Sequence, residues 1–223
     1  MDAYRSPCLR LPTPFLLLGP CELIGKSPTR SENTNANMNP VAIYGDGRRF
    51  YRCLAAFKHQ QLMLCKRNVF GIPDNQVLFT YETKLADEIR KCIANTLLES
   101  IDLLSDLPEA VAEAYLEDRA GQFFPNLLAR VQNNFKTGAY AGTLEVATAA
   151  FVIRRQIHMF QLIDNHYKRL DIFPQKHYGG DRQPVCILHT PSDLSGNFGH
   201  FNLLLSRTVQ ENPFISDVTF DDK

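Results

Sequence analysis
No stretch of this chain is apolar for long enough to cross a bilayer. The longest run near the start, Phe15-Leu16-Leu17-Leu18, falls far short of the ~20 residues a spanning helix needs, and Pro12, Pro14 and Pro20 bracket it. The same segment lacks the basic start and long apolar centre of a secretory signal. An excess of one charge is also missing: Lys plus Arg and Asp plus Glu number 24 each. No global field therefore draws in nucleic acid, an anionic membrane or an acidic substrate, and neither nucleic acid nor membrane is expected as a partner. The six cysteines, Cys8, Cys21, Cys53, Cys65, Cys92 and Cys186, contain no Cys-x-x-Cys pair and no Cys/His group at zinc-ligand spacing. A structural metal site is not expected. No internal repeat is visible. These absences predict an intracellular protein with reduced thiols, in the cytoplasm or alternatively the nucleus, that meets its partners through a local surface.

What is present suffices for one core, since 44% of the 223 residues are hydrophobic. Residues 1–38 are rich in Pro, Ser, Asn and Thr without a helical or strand period, and read as a flexible tail. Residues 39–210 read as one domain, and residues 211–223 as a C-terminal tail. Within the domain, Gly45-Asp46-Gly47 feeds a helical spacing of apolar residues at Phe50, Cys53, Leu54, Phe57, Leu62 and Leu64. A long amphipathic helix is predicted from Tyr81 to Leu104, with shorter ones from about Pro108 to Asp118 and Pro125 to Asn133, the prolines fitting first-turn positions. Thr143 can cap a further helix. Strands are predicted at Ile157 to Leu162, Tyr167 to Phe173, Pro184 to Thr190 and His200 to Leu205. Helices first and strands last, without β-α-β alternation, predict an α+β fold.

Two short features carry chemistry. Gly45-Asp46-Gly47 before a helix puts backbone N–H groups in a tight turn beside a helix N-terminus, which suits a developing oxyanion or a small anion. The period of a strand turns His200 and Asn202 to one face, where an amide can orient an imidazole. Taken singly, each has an ordinary structural reading, as a common turn and as a strand-edge histidine.

Taken together they form a pattern. Gly45-Asp46-Gly47-Arg48-Arg49-Phe50-Tyr51-Arg52 resembles the Gly-Asp-Gly-Asn-Cys-Phe-Tyr-Arg signature of the ovarian-tumour (OTU) family of deubiquitinating cysteine proteases. Tyr140-Ala141-Gly142-Thr143-Leu144-Glu145 is similar to the family's aromatic-Gly-Gly-x-x-Glu helix start, and Gly199-His200-Phe201-Asn202 to its closing His-aromatic-Asn motif. The resemblance spans about Val41 to Ser206. It implies a papain-like α+β domain, a small central sheet flanked by helices, that binds ubiquitin or a ubiquitin-like protein and cuts its C-terminal isopeptide bond without a cofactor. Carried over by position, it implies that Asp46 shapes the oxyanion loop, His200 is general base, Asn202 orients it, and Arg49 stands at the nucleophile.

A guanidinium stays protonated at any working pH and cannot attack a carbonyl. The expectation is a domain that binds ubiquitin but is catalytically inactive. The alternatives are an active ubiquitin-specific cysteine-type isopeptidase, or an interaction domain unrelated to ubiquitin. Cys53 lies on the same helical face as Arg49 but one turn deeper, and is expected to be a core residue. Arg48 and Arg49 at a helix start are also expected to oppose the helix dipole.

Overall fold
In the computed structural model the residues described are 38–104, 116, 123–136, 138–173, 183–190 and 200–206. The expected N-terminal tail up to residue 37, the C-terminal tail, Gly199 and most of the helix expected from Pro108 to Asp118 lie outside them.

The described chain opens with a short strand, β1 (Met38–Val41), so Met38 belongs to the sheet and not to the tail. Helix α1 (Arg49–Lys58) follows, and His59 in an extended conformation breaks it from α2 (Gln60–Leu64). The single helical spacing in the sequence is thus two helices. Every residue of α1 from Phe50 to Phe57 is buried, which makes it the central helix of the domain.

The long helix α3 runs from Gln76 to Glu99, five residues earlier than its apolar period implies. Asn75 sets that start, its side-chain oxygen accepting from Val77 N (2.8 Å) and Leu78 N (3.3 Å). At the other end the N–H of Ser100 returns to Leu97, separating the short α4 (Ile101–Leu104). Helix α5 (Leu127–Asn133) is likewise capped by an asparagine, Asn126, which leaves Pro125 outside the first turn. Helix α6 (Thr143–Ile153) begins after Gly142, so Thr143 is its first residue and not its cap. The Glu145 carboxylate reaches back to Gly142 N at 2.7 Å.

Four more strands complete the sheet: β2 (Ile157–Ile163), β3 (His166–Phe173), β4 (Val185–Thr190) and β5 (His200–Ser206). Their order is β1-β5-β4-β2-β3, antiparallel except for the β2–β4 pair. Asp164 (φ 53) and Asn165 (φ 60) turn β2 into β3, the left-handed pair that a tight hairpin requires. In β4 the alternation Val185 and Ile187 against Cys186 and Leu188 splits two hydrophobic groups across the sheet. The larger group joins the sheet to α1, α3 and α6. The result is an α+β domain with its sheet backed by helices.

Candidate active site
Strand β5 carries both polar residues on one face, while its neighbours Phe201, Leu203 and Leu205 enter the main core. Asn202 Oδ1 accepts a hydrogen bond from the Ile43 backbone N–H at 3.1 Å and faces His200 Nε2 at 2.9 Å. The Ile43 amide can only donate, so the Asn202 atom between the two groups is the oxygen. His200 Nε2 must then carry the proton, and in the neutral ring Nδ1 holds the lone pair. Burial pushes the His200 pKa down and the Arg49 charge pushes it further, against the hydrogen bonds to Asn202 and the Ile43 backbone. The ring is neutral at pH 7.

Arg49 is the first residue of α1. Its side chain lies over Gly45, where an added Cβ would overlap the guanidinium. Its Nε is buried and has no hydrogen-bond partner among the described residues. Burial lowers its pKa, against weaker opposing pulls from Tyr140 and Asp46. Arg49, His200 and Asn202 line one cavity of about 410 Å³ together with Tyr44, Gly45, Val69 and Phe70. The structure therefore brings three of the four expected site residues together, and the Ile43 amide, 159 positions before Asn202, ties their segments.

Asp46 stands apart from that cavity. Its Oδ1 accepts from Arg48 N (3.1 Å) and Arg52 Nε (3.2 Å), and its Oδ2 from Arg48 Nη1 and Arg52 Nη2, both at 2.8 Å. Burial raises its pKa, but the two arginines outweigh that and hold it below the usual value. These contacts belong to a continuous chain of ion pairs. Arg67 meets Glu82, Glu82 meets Arg52 (3.1 Å), Arg52 and Arg48 share Asp46, and Arg48 and Arg90 share Asp87 (2.8 Å each). Arg48 therefore does not simply oppose the helix dipole. Burial works against its charge, but Asp87 and Asp46 more than compensate, and its pKa rises. Of the three arginines at this helix start, Arg48, Arg49 and Arg52, Arg49 alone has no carboxylate in salt-bridge range among the described residues.

The turn differs from a plain amide cradle as well. Gly47 (φ 80) takes a conformation open to glycine, and a Cβ there would strike the Gly138 backbone. The Arg48 N–H is already bound to Asp46, so that amide is not free for an incoming anion. No side chain caps the first amides of α1.

The described thiols lie elsewhere. Cys53 is 0% exposed, and burial, with Glu82 nearby, drives its pKa far above the normal range. Burial pushes Cys186, in central strand β4, up to about 12. Among the described residues no cysteine lines the cavity that holds Arg49 and His200.

Because the Arg49 charge is one of the two forces lowering the His200 pKa, Arg49→Gln is expected to raise it without restoring the ordinary value, since burial remains. An NMR titration of the His200 ring in both proteins reads this directly. A pKa unchanged by the substitution would mean that the guanidinium does not face the ring. With the folded pKa below the unfolded value near 6.5, the unfolded chain binds more protons between the two. Stability contributed by neutral His200 is thus complete above about pH 6.5 and declines as pH falls through the folded pKa.

Compared with known proteins, the chain matches no family profile and no curated sequence. Solved structures do match. The viral OTU domain protease of Dera Ghazi Khan virus is 10% identical, with a TM-score of 0.50 over 81% of this chain and 88% of its own. The OTU domain of OTUD1 is 15% identical, with a TM-score of 0.49 over 76% of this chain and 86% of its own. The Hazara virus OTU, solved bound to ubiquitin, is 18% identical, with a TM-score of 0.44 over 79% and 86%. Identities this low speak for architecture alone, and on the first of these matches the chain has the α+β, papain-like fold of OTU domains.

Proposed function
We propose that this chain is an OTU-fold domain that binds ubiquitin or a ubiquitin-like protein without hydrolysing it. The observation that carries this reading is the occupancy of one cavity by Arg49, His200 and Asn202, with a guanidinium at the helix start and, among the described residues, no thiol in the lining. His200 is supplied with an orienting amide and a lone pair, yet it has no proton to take from Arg49. Asp46 holds the preceding turn by accepting from Arg48 N, a supporting role and not a chemical one. Cys53, the nearest thiol in sequence, is sealed in the core with a raised pKa, which weighs against an active isopeptidase. Among the described residues no helix is long and apolar enough to cross a membrane.

Two measurements on the same sample test the reading. Calorimetric titration with ubiquitin is expected to give saturable binding, and a fluorogenic ubiquitin amide is expected to release no fluorophore above the buffer rate. Turnover that survives purification and disappears on His200→Ala would overturn the inactive assignment. Absence of binding to ubiquitin would leave an interaction domain with another partner.

A further inference from the structure
Arg49 is a half-buried cation with no carboxylate partner among the described residues, and a buried charge without a partner is costly. Its Nε is fully buried, the first amides of α1 have no side-chain cap, and the neighbouring His200 offers no negative charge. The other guanidiniums of the region are already committed: Arg48 and Arg52 to Asp46, Asp87 and Glu82, and Arg67 to Glu82. One planar fork therefore faces a cavity of about 410 Å³. A single fork matches a carboxylate with two parallel hydrogen bonds, whereas a phosphate dianion calls for more cationic partners than this cavity offers.

The rim adds a second requirement. Val69 and Phe70 are 90% and 69% exposed at the mouth of the same cavity. Their loop is firmly built: Asn68 Oδ1 accepts from Phe70 N (2.9 Å) and Ile72 N (3.1 Å), and Arg67 donates to Gly71 O (3.0 Å). Gly71 (φ 80) lets the loop lie against the Ile43 backbone, where a Cβ would clash. Two apolar side chains held in water beside a half-buried cation fit a ligand with an apolar stem and an anionic end. The terminus of a peptide chain is such a ligand.

We propose that Arg49 makes this cavity a receptor for a free peptide C-terminal carboxylate. On the reading of the cavity as an OTU cleft, that carboxylate is the one at the end of unconjugated ubiquitin. Conjugation turns it into an amide, removes its charge and leaves the guanidinium unpaired. The same position that ends hydrolysis thereby distinguishes free ubiquitin from attached ubiquitin.

The test compares full-length protein binding to ubiquitin with its native C-terminal carboxylate and to ubiquitin with a C-terminal amide. The carboxylate form is expected to bind about ten- to a hundredfold tighter, as for a hydrogen-bonded charge pair. Arg49→Gln should erase most of that difference, and Arg49→Lys should keep part of it, with thermal unfolding showing that both variants fold. Equal affinity of the two forms for the unaltered protein overturns the carboxylate receptor and leaves ubiquitin binding standing. Should neither form bind, the ubiquitin reading fails, and N-acetyl-leucylglycine against its amide decides the site by itself. An Arg49-dependent shift of the His200 ring resonance with the carboxylate alone upholds the receptor, and no shift with either compound overturns it.

Discussion

Arg49→Cys is expected to take covalent label from ubiquitin bearing a C-terminal electrophile, while the unaltered protein stays unlabelled. The substitution supplies a nucleophile, which the cavity lacks among the described residues. His200 already presents a neutral ring whose Nε2 proton is fixed by Asn202, leaving Nδ1 as the base. A thiol at the first position of α1 would sit at the positive end of a helix, which lowers a thiol pKa. Removing the guanidinium also relieves the pull that lowers the His200 pKa, bringing the base closer to neutral range. His200→Ala in the Arg49→Cys background should then slow labelling by about 10²–10⁴-fold, the span of general-base catalysis, and this separates catalysis from ordinary thiol reactivity. Arg48 should be left in place. It joins Asp46 to Asp87, and restoring an asparagine there would cut two ion pairs beside the site. Labelling of the unaltered protein that Cys53→Ala abolishes would refute the inactive reading. A folded Arg49→Cys protein that takes no label would show that the cleft cannot hold the ubiquitin tail near His200.

The legible parts of the fold are those in which one residue period dominates. The buried face of α3 could be read from its helical period, and strand β4 from its apolar run Val185-Cys186-Ile187-Leu188. Ends were less legible. Asn75 and Asn126 start α3 and α5, where the apolar period and the prolines suggested other boundaries. Strand β1 escaped because four residues containing Pro40 have no period of their own; they are a strand only through β5, with Met38 paired to Ser206. In the site, His200 and Asn202 share a face by simple alternation, and that was visible. The fate of the arginines was not. Arg52 reaches Asp46 six positions back and Glu82 thirty positions on, and Arg48 reaches Asp87 thirty-nine positions on. Long-range pairing of this kind leaves no local signal, so Arg48 looked like a dipole fault when it is a link in a chain.

That chain sets the largest stability effect expected from a single change. Arg52 and Glu82 are both 0% exposed, and Glu82 lies between two guanidiniums, Arg52 and Arg67. Arg52 also packs over the rings of Phe79 and Tyr44, with centroid distances of 5.0 and 5.6 Å. Glu82→Gln keeps the shape but removes the anion, leaving two buried cations facing each other across a neutral amide. Breaking a buried pair in this way costs about 3–5 kcal/mol, a large share of the ~5–15 kcal/mol that holds a domain folded. The matching control is Lys84→Gln, which removes an exposed pair to Glu88 at 4.0 Å and should cost under ~0.5 kcal/mol. Urea unfolding of the three proteins measures both. A Glu82→Gln protein within about 1 kcal/mol of the parent would mean that water enters the chain and screens it, since only a dry pair carries such a penalty. The acid limb gives an independent reading. Asp46 has a folded pKa below its unfolded value, so its contribution is complete above the unfolded pKa and is lost as pH falls through the folded one. Asp46→Asn should flatten that part of the stability curve. Because Asp46 also holds the Arg48 amide in the turn before α1, the same substitution should loosen the start of the helix that carries Arg49.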